Sequence, residues 1–145
     1  MAKKPLLLGF KMNLKNFKFK KEFCFRGAVT LLNQWKKIQF KYYLNKNIHG
    51  SLLNNQERKI EFHFTLEIHP DFGEINFDGE CILKSPEQQK IQFCFVNQIT
   101  PFIQFVDRII LRKCIENSKK IAQQNKIPFP PTDALMMSIF KKNIK

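Results

Sequence analysis

The run Ile60-Glu61-Phe62-His63-Phe64-Thr65-Leu66-Glu67-Ile68-His69 puts an apolar residue at every even position and a polar one at every odd position. A period of two sustained over this length describes a strand with one face in a core and the other in water. Pro70-Asp71-Phe72-Gly73 follows with turn chemistry. Beyond it Ile75, Phe77, Gly79, Cys81 and Leu83 alternate with Glu74, Asn76, Asp78 and Glu80. The two runs read as a long antiparallel hairpin.

Working upstream, Ile38-Gln39-Phe40-Lys41-Tyr42-Tyr43-Leu44 supplies a further strand, joined to the hairpin by a loop rich in Asn, Gly and Ser at 45–57. Nearer the start, Phe10, Met12 and Leu14 alternate on even positions and Phe17 and Phe19 on odd ones. A slip of parity inside one strand implies a bulge or break, here at Lys15-Asn16. Ala28 to Trp35 carries no decisive period and is read as loop or short strand, and Ile91 to Val96 as a short edge segment.

Past Gln98 the period lengthens. Thr100 is the expected cap and Pro101 the opening residue of a helix, because a proline in the first turn forfeits no needed donor. Phe102, Phe105, Val106, Ile109, Ile110, Cys114 and Ile121 then share one face out to about Asn125. Pro128-Phe129-Pro130-Pro131 stops the helix and favours an extended segment, after which Thr132 caps a short helix over 133–141. The expected architecture is α+β: a four-stranded antiparallel sheet followed by a long helix and a short C-terminal helix on one face, in a single domain over 1–145.

At 145 residues, 43% hydrophobic, the chain is long enough for one core and too apolar for a disordered basic tail. No run is long and apolar enough for a membrane span, and Leu6-Leu7-Leu8 is too short for a signal sequence, so a soluble, cytoplasmic protein is expected. Cys24, Cys81, Cys94 and Cys114 are scattered without metal-ligand spacing and read as reduced core thiols. His63 and His69 share a strand face but lie about 20 Å apart at ~3.3 Å per residue, too far to hold one metal. His49 stands in a loop without an evident partner. Asp78 and Glu80 could pair as acid and base, yet nothing in the sequence presents a substrate to them. With no phosphate-binding loop and no nucleophile elbow, neither an enzyme, a cofactor nor a metal is expected.

Charge is unevenly spread. The net charge is +13, and residues 1–50 carry twelve basic side chains against the single acid Glu22, while 51–145 carry thirteen against eleven. Lys11, Lys15, Lys18, Lys20, Lys21, Lys36 and Lys37 form the candidate basic partner surface, for a polyanion, a membrane surface or an acidic protein. A solvated edge strand whose lysines discourage sheet-to-sheet pairing accounts for the same residues. Sixteen phenylalanines are the second anomaly, more than one small core readily buries. They either replace Leu and Val in that core or line an exposed groove for a peptide. Phe17-Lys18-Phe19-Lys20-Lys21 also has the aromatic and cationic mixture of single-strand binders, although an amphipathic strand gives the same string.

The order of elements, with Pro101-Phe102-Ile103-Gln104-Phe105-Val106-Asp107-Arg108-Ile109-Ile110 opening a long helix and Pro128-Phe129-Pro130-Pro131-Thr132-Asp133-Ala134-Leu135-Met136 leading to a terminal one, resembles the SecB family of protein-export chaperones. The detailed resemblance covers residues 100–140; the sheet agrees in order. It implies a chaperone without nucleotide or metal, assembled as a dimer or tetramer, that binds unfolded clients in hydrophobic grooves. It also implies that Phe129, Pro130 and Pro131 border such a groove, with Trp35, Tyr42 and Tyr43 as further lining. Family members are typically acidic and meet the motor SecA through acidic surface. This basic chain, ending Lys141-Lys142-Asn143-Ile144-Lys145, departs from that pattern and puts SecA docking in doubt. The alternative class is a basic RNA- or single-stranded-DNA-binding module, ribosome-associated, with the N-terminal lysines on phosphate.

Overall fold

A computed structural model describes residues 11–26, 39–47, 51–69, 73–127 and 129. Strands β1 (Asn13–Arg26), β2 (Gln39–Lys46), β3 (Ser51–Leu52), β4 (Glu57–His69) and β5 (Gly73–Lys84) precede helices α1 (Gln88–Val96) and α2 (Thr100–Gln124). The four long strands run antiparallel in the order β1-β5-β4-β2, with two-residue β3 paired to the start of β4. The first strand thus lies beside the last in a Greek-key order.

The hairpin of β4 and β5 is the centre of the sheet, in register from Glu57↔Lys84 to Ile68↔Gly73. Its even positions on β4 and odd positions on β5 are buried from Ile60 to Ile68 and from Ile75 to Leu83. Helix residues such as Ile91, Phe95, Phe102, Val106, Ile110 and Cys114 complete that core, so the helices cover one face and the other is wet.

β1 changes parity twice. Register shifts fall between Lys15 and Lys18, where the sequence indicates a slip, and again between Lys20 and Phe23. Asn16 and Lys21 mark them with φ of 55° and 56°. Each extra residue turns the following side chains over. Leu14, Phe17, Phe19 and Cys24 therefore all pack against the core, while Lys18 and Lys20 lie opposite Glu80 and Asp78 and Phe23 and Phe25 face water, about half exposed.

α2 crosses the sheet from edge to edge. Asp107 meets Lys46 of β2 at 2.7 Å, and Asn117 donates to Glu22 of β1 at 2.9 Å. Ten residues of helix advance about 15 Å, close to the ~14 Å across three strand spacings.

Several expectations change. Ile91–Val96 is helical, because Gln88, Ile91, Cys94 and Phe95 are buried together at spacings of three and four. Thr100 is the first residue of α2 rather than its cap; Ile99 holds that place and no side chain caps it. Phe105 and Ile109 are only half-buried, and Leu111, Ile115, Ser118 and Ala122 are buried instead, since the helix is covered over a broad arc. The 45–57 connection contains β3. The segment 28–35, the turn residues 70–72 and the short helix over 133–141 lie outside the described residues.

Candidate functional site

On the core side of β4, Phe64, Leu66 and Ile68 are at most 1% exposed. Their partners on β2, Leu44, Tyr42 and Phe40, are only half-buried. The cover laid by the helices is therefore nearly complete over β4 and partial one strand further out. The result is a half-open apolar trough along β2. Phe129 lies against Phe40 with ring centroids 6.2 Å apart, at one end. At the other, Lys46 is tied to Asp107 beside a cleft of about 320 Å³ lined also by Phe95, Gln98, Thr100, Ile103 and Gln104. Ile103 adds half-buried apolar surface there from the first turn of α2. From Phe40 to Lys46 the trough runs about 20 Å at ~3.3 Å per residue.

Of the residues singled out in the sequence, Phe129 and Tyr42 pack against this core. Tyr43 is half exposed on the opposite sheet face, as alternation requires of the neighbour of Tyr42, so the two tyrosines do not share a groove. Trp35, Lys36, Lys37, Pro130 and Pro131 lie outside the described residues. Phe40, Leu44 and Ile103 belong to the trough; alternation signalled the first two without telling half from full burial, and Ile103 was not among the residues assigned to the apolar helix face.

A second opening, of about 680 Å³, lies at the far end of β4 between Leu52 and Leu53 and the start of α1 at Gln88, Gln89 and Lys90. Leu52, Leu53, Phe93 and Val96 are more than half exposed.

The lysines of β1 are not a bare cationic strip. Lys15 pairs with Glu57 at 3.2 Å, Lys20 with Glu80 at 3.7 Å and Lys21 with Asp78 at 3.9 Å. The Greek-key order places the basic first strand beside the acidic hairpin, so an asymmetry along the chain becomes a mosaic in space. Lys11 and Lys18 are exposed.

On the wet face Asp78 Oδ1 and His63 Nδ1 are 2.6 Å apart, and His63 Nε2 lies 3.4 Å from the Thr65 hydroxyl. The hydrogen bond from His63, aided by the charges of Lys21 and Lys20, holds the Asp78 carboxyl below the usual carboxylate range. The order carboxylate, imidazole, hydroxyl is that of a hydrolytic triad, but its surroundings are not. β4 and β5 each have strands on both sides, so their own backbone N–H groups serve the ladder rather than converging on an oxyanion. The side chains lie on an open sheet face, with 47% of His63 exposed. They orient a surface histidine. Glu80, the expected partner of Asp78, pairs with Lys20 instead. No group of three or more metal-ligating side chains occurs among the described residues.

Cys81 and Cys114 are wholly buried, Cys94 nearly so and Cys24 partly, and all four are free thiols. Burial pushes the Cys81 thiol up to about 12 and Cys114 further. Neither thiol is a nucleophile at neutral pH.

No protein-family model and no curated protein matches the sequence. Among solved structures, the fold is similar to that of a Mycobacterium tuberculosis SecB-like chaperone, Rv1957, in complex with a ChAD peptide from the HigA1 antitoxin. The TM-score is 0.60 over 90% of this chain and 94% of that one, at 7% identity. The architecture is a SecB-like α+β fold. The likeness is one of shape, since at such identity the side chains of the two proteins are almost wholly different.

Proposed function

We propose that this chain is a SecB-like chaperone that holds unfolded or partly folded polypeptides in the apolar trough along β2, without nucleotide. The observation that carries this reading is the fall in burial from Phe64, Leu66 and Ile68 on β4 to Leu44, Tyr42 and Phe40 on β2. A trough of about 20 Å accommodates some six extended residues at ~3.3 Å each. Its lining is aromatic and aliphatic, suited to many apolar side chains and selective for none. The similar fold of a chaperone seen with a bound antitoxin peptide supports the same reading. No helix among the described residues is long and apolar enough to cross a membrane.

The reading extends to a cytoplasmic protein, self-associated as a dimer or tetramer, in which Pro130 and Pro131 continue the border begun by Phe129. It does not extend to SecA, for the mixed charge of the sheet face and the basic chain offer no acidic platform. Nor do the ion-paired lysines of β1 favour phosphate binding on that strand.

The test is titration of a permanently unfolded protein, such as reduced and carboxymethylated lactalbumin, with solution mass measured alongside. Replacing Phe40 and Phe129 by Ser should weaken binding by about tenfold or more, as loss of buried aromatic anchors does. The Lys18→Gln/Lys20→Gln/Lys21→Gln variant should bind as the parent does. Undiminished binding by the double Ser variant would refute the trough as the site.

A further inference from the structure

β2 and β3 pair successive stretches of one edge of β4. The other edge is taken by β5 from Glu57 to Ile68, so β2 and β3 lie on the same side. Lys46, the last residue of β2, stands opposite Phe62, and Leu52 stands opposite Arg58, nearer the start of β4. Side chains directly opposite each other share a sheet face. Arg58 is buried and bonded to Gln88 of α1, so Leu52 lies on the helix side, the side of Phe40, Tyr42 and Leu44. The line of the trough therefore runs on past Lys46 to Leu52. From Phe40, opposite Ile68, to Leu52, opposite Arg58, it covers about 33 Å at ~3.3 Å per residue.

This far stretch has a cavity of its own. The opening between β3 and the start of α1, about 680 Å³, is about twice the volume of the 320 Å³ cleft beside Lys46. Leu52 and Leu53 line it and are 59% and 52% exposed, with Pro86 as further apolar wall and the exposed amides of Asn55 and Gln89 around them. Among the described lining residues the only charges, Glu87 and Lys90, pair with each other at 2.8 Å. An ionic ligand thus meets no uncompensated charge. Apolar side chains ringed by amides match an extended polypeptide, which presents apolar side chains between peptide groups that need hydrogen-bond partners. Between this pocket and the apolar part of the trough stands Lys46, held by Asp107 at 2.7 Å, a polar divider on an otherwise apolar line.

We propose that the pocket between β3 and α1 is a second station of the client site, so that one unfolded chain lies along the β2 and β3 edge with an apolar cluster in the trough, polar residues over Lys46 and a second apolar cluster on Leu52 and Leu53. The proposal rests on the chaperone reading and adds a rule of selection to it. Leu44 and Leu52 stand opposite Phe64 and Arg58 on β4, about 20 Å apart at ~3.3 Å per residue. The preferred client therefore carries two apolar clusters separated by about six extended residues. Such a client gains over one with a single cluster because its second contact is made within a complex already formed.

The experiment measures fluorescence anisotropy of two labelled peptides, each with a Leu-Phe-Leu cluster at both ends, joined by Ser and Thr spacers of about two and about six residues. The longer peptide should bind the parent at least about tenfold more tightly. Leu52→Ser/Leu53→Ser should lower the longer peptide to the affinity of the shorter and leave the shorter unchanged. Both leucines are exposed, and urea midpoints establish that the variant folds; if it does not, Leu53→Ser alone, outside β3, should remove part of the difference. Phe40→Ser/Phe129→Ser should weaken both peptides. Phe23→Ser/Phe25→Ser, which removes exposed rings from the wet face, should weaken neither. Equal binding of the two peptides by the parent, or a leucine variant that keeps the difference, overturns the second station and leaves the trough standing. A leucine variant whose solution mass changes while its preference for the longer peptide persists assigns the pocket to a second copy of the chain and also overturns the proposal. Failure of the parent to bind both peptides and carboxymethylated lactalbumin overturns the chaperone reading, and the second station with it.

Discussion

Gly79 lies beneath the ring of its cross-strand partner Phe62, so close that any Cβ at position 79 would run into the ring edge and approach the Lys18 carbonyl oxygen at 3.2 Å. The ring cannot simply swing away. Phe62 is 4% exposed, and Phe19 stands edge-on to it with centroids 6.3 Å apart and against Phe77 at 5.2 Å. The missing side chain is what lets three aromatic rings from three strands occupy one layer. Gly79→Ala should therefore destabilise by about 1–3 kcal/mol, as overpacking of a filled core does. Urea unfolding checks it, and Phe62→Leu in the same chain should recover part of the loss. An unchanged midpoint in the single variant would mean that the layer has slack.

Among the described residues Arg58 is the most deeply buried charge, 2% exposed, with its Nε donating to Gln88 Oε1 at 3.1 Å and its guanidinium 6.0 Å from the Phe95 ring centre. Gln88 in turn donates to the carbonyls of Gln56 at 3.0 Å and Ser85 at 3.2 Å. One carboxamide thus ties the start of β4, the end of β5 and the start of α1. Gln88→Ala removes an acceptor from a buried cation and should cost about 1.5–3 kcal/mol. Gln88→Glu, which keeps an acceptor for Arg58, should lose less. Equal losses would show that the bonds to the backbone carbonyls dominate.

The acid limb of stability should depend on Asp78 and Glu57. Both carboxyls lie below their ordinary range, Asp78 through its hydrogen bond from His63, Glu57 through those from Asn54 and Lys15. A depressed native pKa means that the unfolded chain takes up the proton first as pH falls. The contribution is present above the unfolded value of about 4, and is lost as pH falls through the lower native value. Asp78→Asn should be less stable than the parent at neutral pH and equal to it once both carboxyls are protonated. Urea midpoints followed down from neutrality test this, and parallel curves would mean that Asp78 contributes nothing specific.

The central hairpin was legible because both its strands have one wet and one dry face, which writes a period of two into the sequence. α2 was legible for the corresponding reason, with Pro101 marking its start. α1 was not: in Ile91-Gln92-Phe93-Cys94-Phe95-Val96 the apolar residues suit a strand as well as a helix, and burial of Cys94 beside Phe95 settles the matter only in three dimensions. The first bulge of β1 showed as a slip between Leu14 and Phe17. The second was hidden, since nothing in Glu22-Phe23-Cys24-Phe25 tells which side chains face out, and it shows only in the pairing of Phe23 with Asn76 and Phe25 with Glu74. The trough was half legible. Phe129 stood out beside its prolines, but whether Phe40 and Leu44 are covered depends on where the helices stop, which strand periodicity does not encode. Charge misled most, because Lys15, Lys20 and Lys21 are far in sequence from the acids that meet them.

The four thiols should react in an order set by burial. Cys24 is partly exposed on the edge strand β1, Cys94 is 8% exposed on α1, and Cys81 and Cys114 are wholly enclosed where β5 faces α2. A thiol reagent needs both access and the thiolate, and burial withholds both from Cys81, whose pKa is raised to about 12, and from Cys114. Mass spectrometry of the native protein with iodoacetamide should find Cys24 modified first and Cys94 more slowly. Cys81 and Cys114 should be modified only at the rate of global opening, so that their labelling accelerates in step with one another as urea is added. A single urea dependence for the pair would show that the central hairpin and α2 open as one unit. Labelling of Cys114 ahead of Cys81 would instead show that α2 lifts from the sheet while the hairpin stays closed, a motion that would also widen the trough along β2.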